Sequence, residues 1–249
     1  MSQLRRPDRP TRSPLPGRKS WAGIALAALF ILLLTPGSSR STNKVDLVLV
    51  LALDVSGSVN DREYDLQKTG LARAFRHPSV IEAISQGHSK RIAVTAVQWA
   101  GFREQVVSIP WTVIAGSNGA ADFADHLASM RRRYAYPLGV THISGIIRFG
   151  TEIALAAPYT TERRVVDISG DGKNNVMDAP ETARDEAILA GLTINGLAIV
   201  NEAPDLTAYY RSTVIGGPGA FVITANDYDA YARSILRKLI REISHHLIM

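Results

Sequence analysis

Val45-Asp46-Leu47-Val48-Leu49-Val50-Leu51-Ala52-Leu53-Asp54-Val55-Ser56-Gly57-Ser58 is the stretch on which the reading of this chain turns. Residues 45–53 form an apolar run rich in Val and Leu, as expected for a strand covered on both faces. The run ends on an acid. Two hydroxyls then follow at alternate positions. A strand end that continues into a loop can point Asp54, Ser56 and Ser58 toward one spot. A carboxylate with two hydroxyls is a hard-oxygen set, suited to Mg²⁺ or Mn²⁺ rather than to zinc or copper.

Outward from this stretch, strand-like and helix-like segments alternate. Asn60 or Asp61 can cap a helix running toward Arg76, Pro78 interrupts it, and a short helix extends to Gln86. Residues 91–99 (RIAVTAVQW) read as the second strand, and 105–109 as a third that pairs with it as a hairpin. Residues 118–133 and 143–156 look helical, and 164–169 (RVVDIS) form a fourth strand. A helix over 181–190, a fifth strand over 193–200, a helix over 205–213 and a sixth strand over 220–224 follow. Asp227 or Asp229 can cap a last helix. Its apolar stripe is Tyr228, Tyr231, Ala232, Ile235, Leu236, Leu239, Ile240 and Ile243, with Arg233, Arg237, Lys238 and Arg241 on the opposite side or its borders. The alternation predicts one doubly wound α/β domain over 45–244. Its six-stranded sheet is mostly parallel, with helices on both faces and one short antiparallel edge strand.

Ligands of such sheets bind outside the carboxyl ends of the strands, at the topological switch point. After the fourth strand comes Ser169-Gly170-Asp171-Gly172, a second acid at the same edge. Between the two acids, Gly139-Val140-Thr141-His142 opens a helix and offers a third hydroxyl. Asp54-x-Ser56-x-Ser58, then Thr141, then Asp171-Gly172 resembles the metal-ion-dependent adhesion site (MIDAS) of von Willebrand factor A domains. More narrowly, VDLVLVLALDVSGSVNDREYDLQ, IAVTAVQWAG, RRVVDISGDGKNN, TINGLAI and VIGGPGAFV resemble the bacterial DUF1194 group of exported A-type domains. The resemblance implies that Ser56 and Ser58 ligate an ion directly. Thr141, Asp54 and Asp171 would do so directly or through water. The ion would be Mg²⁺, or Mn²⁺ or Ca²⁺, and its open position would take an Asp or Glu from a partner protein. Many A domains have Thr-Asp-Gly where this chain has Gly170-Asp171-Gly172, and Lys173-Asn174-Asn175 then follows. Lys173 beside the ion would shift affinity for metal or ligand. His142 would read the partner at the rim, or is an ordinary surface histidine.

The charge total first suggests a different partner. The 249 residues carry a net +5. Residues 1–44, however, hold eight of the 28 basic residues and one of the 23 acids, leaving the remainder at −2. A basic nucleic-acid-binding domain is therefore not expected. The leader over 1–20 reads as disordered. The 14-residue apolar run over 21–34 is short of the roughly 20 residues a bilayer core needs, and small residues follow it. That is the pattern of an export signal within 1–40, placing the domain in the periplasm or outside the cell; the alternative is an uncleaved anchor at 21–34. Zero cysteines exclude disulfides, thiolate zinc sites, iron–sulfur clusters and a Cys nucleophile.

Enzyme readings fare poorly. An Mg²⁺-dependent phosphohydrolase needs a second acid where Ser56 stands. A serine hydrolase needs Gly before the central Ser of its elbow. Gly216-Gly217-Pro218-Gly219 precedes a strand and reads as a tight turn, and Arg131-Arg132-Arg133 as a solvated helix end. The expectation is a metal-dependent protein-binding domain. The alternatives are the phosphohydrolase and a structural or assembly subunit with a silent metal site.

Overall fold

The computed structural model describes residues 43–133 and 139–244. The leader and apolar segment expected to form an export signal or anchor lie outside the described residues. Among the described residues no helix is long and apolar enough to cross a membrane.

The chain begins with β1 (Val48–Asp54), α1 (Asp61–Arg76), α2 (Pro78–Ser85), β2 (Ile92–Trp99) and β3 (Gln105–Ile114). It continues through α3 (Gly116–Ser129), α4 (Ile143–Leu155), β4 (Arg164–Gly170), α5 (Pro180–Leu189) and β5 (Leu192–Ile199). A four-residue α6 (Leu206–Tyr209) runs into a π-turn (Tyr210–Val214), then β6 (Val222–Ala225) and α7 (Tyr228–Ser244). The α1 start is a capping box: Asn60 Oδ1 accepts from Glu63 N and Glu63 Oε2 accepts from Asn60 N. Asp227 Oδ1 accepts from Ala230 N at 2.7 Å and caps α7.

All seven residues of β1 are buried. Because side chains alternate along a strand, Leu47, Leu49, Leu51 and Leu53 face Phe75, Val80, Phe123 and Leu239, on the side of α1, α2, α3 and α7. Val48, Val50 and Ala52 face Ile143, Ile147 and Ala183 of α4 and α5. The sheet order is β3-β2-β1-β4-β5-β6, with every pair parallel except β2–β3. The strand order reverses between β1 and β4. The carboxyl ends of these two strands therefore open the crevice where Asp54 and Asp171 stand.

Four expectations change. The antiparallel edge strand is not short: β3 continues through Pro110 to Ile114. An edge strand tolerates a proline because one row of its N–H groups needs no ladder partner. Helix α3 ends at Ser129, so Arg131, Arg132 and Arg133 lie beyond it. The helix expected over 205–213 breaks into α6 and the π-turn, in which Ile215 N donates to Tyr210 O at 2.9 Å. Finally, Lys238 is buried rather than on the solvated side of α7. With Tyr231, Ile235, Leu239 and Glu242 it falls at the i, i+4, i+7, i+8 and i+11 spacing of the inward face.

Candidate metal centre

Asp54 closes β1, and the chain turns at once. Ser56 N donates to Asp54 Oδ1 at 2.8 Å, and Val59 N donates to Ser56 O at 3.1 Å. This side-chain-closed turn brings the Ser56 and Ser58 hydroxyls to 3.2 Å from each other. Ser58 Oγ donates to Asp171 Oδ1 at 2.7 Å, and the Tyr228 hydroxyl donates to Asp171 Oδ2 at 3.0 Å. The structure thus brings Asp54, Ser56, Ser58 and Asp171 together. Tyr228, at the head of α7, joins them, though its apolar-stripe position gave no sign of a polar role.

A further contributor is Arg132, whose side chain is only 15% exposed. Its Nη2 donates to Val55 O, Ser56 O and Val59 O, and its Nη1 pairs with Asp61 Oδ1 at 3.0 Å. The run of three arginines is therefore not a solvated helix end, as its composition suggested. One of them grips the backbone of the loop that carries Ser56 and Ser58. We expect Arg132→Ala to cost roughly 1–3 kcal/mol in denaturant unfolding, since three carbonyls lose their donor. Arg132→Lys should recover only part, because an ammonium lacks the planar fork. Wild-type stability in both variants would show that the grip contributes nothing.

Thr141 is held by the segment after Asp171. Asn175 Oδ1 accepts from Thr141 N at 2.8 Å, and Asn175 N donates to Thr141 O at 3.1 Å. Asn174 Oδ1 accepts from Ile143 N at 2.9 Å, capping α4 from a distant part of the chain. The Thr141 hydroxyl lies beside Gly172, where a Cβ would come within 3.2 Å of Thr141 Oγ1. The two asparagines of Lys173-Asn174-Asn175 therefore place the third hydroxyl at the same edge as the two acids.

Glycine at 170 has a steric reason. A Cβ there would lie 2.7 Å from the Tyr210 hydroxyl and 2.8 Å from Asp54 Oδ2, so a threonine does not fit. Gly196 on β5 opens the adjacent space, where a Cβ would meet the Tyr210 ring at 2.6 Å. The π-turn thus seats a fully buried tyrosine beneath Asp54. Asp54 Oδ2 is buried without a hydrogen-bond partner. Burial first, and the charge of Asp171 second, push the Asp54 carboxyl up to about 7. Two facing acids with an orphaned oxygen are unfavourable alone and favourable around a cation. Among the described residues no three His, Cys, Asp or Glu side chains cluster as metal ligands. The other donors here are hydroxyls, so the set offers a divalent cation oxygen ligands only.

The two rim residues are placed differently from one another. Lys173 is half-exposed and pairs with Asp205 Oδ2 at 2.6 Å. His142 is 6% exposed, so it is neither a rim contact nor a surface histidine. Its ring lies under that of Phe102, with centroids 4.6 Å apart and planes 16° apart. Burial lowers its pKa. Packing of the Ala100–Glu104 turn over the start of α4 covers it, and His142 N donates to Ala100 O at 3.0 Å.

Residues 44–247 match the family described as "Protein of unknown function (DUF1194)". The chain belongs to this family. Among curated proteins, none matches it by sequence. Several solved structures resemble this DUF1194 domain in fold. One is proximal thread matrix protein 1 from the mussel byssus, described "with zinc occupied MIDAS motif" (15% identity, TM-score 0.55, 81% of this chain and 48% of that one). Another is the pilus adhesin SpaC from Lactobacillus rhamnosus GG (11% identity, TM-score 0.57, 82% of this chain and 31% of that one). A third is the vWF domain of a type V pili tip protein from Porphyromonas gingivalis (10% identity, TM-score 0.54, 82% of this chain and 96% of that one). The chain spans about half the length of the mussel chains it matches. At these identities the likeness establishes the von Willebrand A-type fold.

Proposed function

We propose that this DUF1194 protein is an exported binding domain whose Asp54, Ser56, Ser58, Thr141 and Asp171 hold a divalent cation, Mg²⁺ foremost, with Mn²⁺ and Ca²⁺ as the other hard-oxygen candidates. It would bind a protein partner through an Asp or Glu of that partner. The observation that carries this reading is the buried, unpartnered Asp54 Oδ2 facing Asp171 amid hydroxyls at the switch point of the sheet. Bound there, the cation supplies positive charge to which a partner's carboxylate is drawn. The chain does the rest. Ser56 and Ser58 present neutral oxygens, Arg132 fixes their loop, and Asn174 and Asn175 fix Thr141. Neutral hydroxyls among the ligands leave more of the ion's charge for an external acid.

Descriptions of the fold relatives as a pilus adhesin and a byssus matrix protein support an extracellular binding role. The basic leader and short apolar segment support export, to the periplasm or beyond, with membrane anchoring by 21–34 as the alternative. No nucleic-acid partner is proposed. Pull-downs from envelope extract should recover partners in Mg²⁺ and lose them in EDTA and with Asp171→Ala. Recovery of the same proteins under all three conditions would mean that the metal site is silent and the domain structural.

A further inference from the structure

Two large apolar side chains are left exposed on loops at the carboxyl edge of the sheet: Phe102, 68% exposed, and Met177, fully exposed. Phe102 sits on a tightly tied turn. Glu104 N donates to Gly101 O at 3.3 Å, Gly101 N donates to Glu104 Oε2 at 2.9 Å, and Gln105 Nε2 donates to Gly101 O at 2.9 Å. Arg103, the next residue, has φ of 57°, a left-handed conformation that side chains seldom adopt. Strain of this kind concentrates where a loop must present a residue in one pose. The Phe102 ring is supported from below by His142, the neighbour of Thr141, while most of the residue remains exposed.

Met177 is presented in a similar way. Asn174 Nδ2 donates to the carbonyls on either side of it, Val176 O and Asp178 O, both at 2.9 Å. Asp178 is in turn held by Arg148, and its Oδ2 lies 3.8 Å from His142 Nε2. One continuous chain of contacts therefore runs from Phe102 through His142 to the loop that carries Met177, around the Thr141 side of the metal centre. Arg103, at the tip of the same turn, makes no ion pair among the described residues, so the rim favours an acidic segment.

We infer that Phe102 and Met177 form an apolar rim to the metal centre that takes a large apolar side chain adjacent to the partner's acid. The partner segment is then an acidic residue flanked within a few positions by Phe, Leu, Ile, Met or Trp. Exposed aromatics on rigid supports are the usual anchors of protein interfaces. This inference rests on the metal-bridged reading above.

The test is a displayed peptide library with a fixed Asp and randomised flanks, panned on the full chain in Mg²⁺ and in EDTA. Mg²⁺-dependent binders should be enriched in large apolar flanks. For one such peptide, Phe102→Ser and Met177→Ser should each weaken binding roughly tenfold or more. Neither should alter the Mg²⁺-induced rise in unfolding temperature, and Leu189→Ser, an exposed apolar residue on α5, should change nothing. Mg²⁺-dependent binders without apolar preference, or with wild-type affinity for Phe102→Ser, would overturn the rim and leave the metal-bridged reading standing. An equal loss with Leu189→Ser would also overturn the rim. No Mg²⁺-dependent binder at all would sink both.

Discussion

Saturating Mg²⁺ raises the unfolding temperature of the wild-type protein and leaves Asp171→Ala unmoved: this is the expected result of a thermal melt with and without EDTA. At about 100 times the dissociation constant, stabilisation should reach roughly 2.7 kcal/mol. For a domain of this size that is on the order of 5–10 °C. A second variant separates the ion from the acids that hold it. Asp54→Asn keeps an acceptor for Ser56 N but removes the buried charge. It should abolish the Mg²⁺ shift while making the metal-free protein more stable than wild type at pH 8. The sign follows from the raised carboxyl. An unfolded Asp titrates near its ordinary value of about 3.9, whereas folded Asp54 is held up at about 7. The folded state thus binds its proton more tightly. Stabilisation from that proton is present below pH ~4 and is lost as pH rises through about 7, an effect on the order of 4 kcal/mol. In EDTA the wild type should therefore weaken from pH 5 to pH 8, and Asp54→Asn should weaken less. Wild-type melts that ignore Mg²⁺ at every pH would reject the site.

The parts of this site that were legible in the sequence are those written as local pattern. Strand β1 reads as an apolar run because helices cover both its faces, and Asp54, Ser56 and Ser58 follow it within five positions. Thr141 and Asp171 could be attached because each follows a readable strand or opens a readable helix. What stayed hidden depends on distant backbone. Arg132 acts on carbonyls 73–77 residues away, and a run of three arginines gives no sign of which one turns inward. Asn174 and Asn175 act on a loop 31–36 residues earlier. His142 looked exposed because nothing in its own neighbourhood shows that Phe102 will lie over it. Tyr210 lies beneath Asp54 only because Gly170 and Gly196, on two other strands, make room for it.

The same limit explains Lys238, the residue with the largest expected effect on stability. A lysine beside Arg237 and near Arg241 reads as part of a solvated face, yet Lys238 is 0% exposed, with Asp167 and Glu242 at 1%. Its Nζ lies 2.6 Å from Asp167 Oδ1 and 2.6 Å from Glu242 Oε1. Asn195 Nδ2 donates to Glu242 Oε1 at 3.0 Å, and Asn195 Oδ1 accepts from Phe221 N at 2.9 Å. The cluster ties α7 to β4, to β5 and to the approach of β6. It contains two acids and one base, and burial, followed by the charge of Glu242, pushes the Asp167 carboxyl up to about 8. Removing Lys238 leaves Asp167 without its cation and Glu242 with only the charge of Arg163, which among the described residues has no ion pair to its carboxylate. Lys238→Ala should therefore lose about 3–5 kcal/mol in denaturant unfolding at pH 8, a large share of the 5–15 kcal/mol typical of a domain. The deficit should narrow at pH 5, where protonation of a raised carboxyl relieves the buried charge. Apolar replacement of the pair, with Glu242→Gln kept as an acceptor for Asn195, separates loss of charge balance from loss of packing. The variant Lys238→Met/Asp167→Leu/Glu242→Gln should recover most of the stability, because a buried ion cluster costs desolvation that apolar packing does not. A Lys238→Ala deficit below about 1 kcal/mol, or one that is the same at both pH values, would show that water reaches the cluster and that its charges do not hold α7 in place.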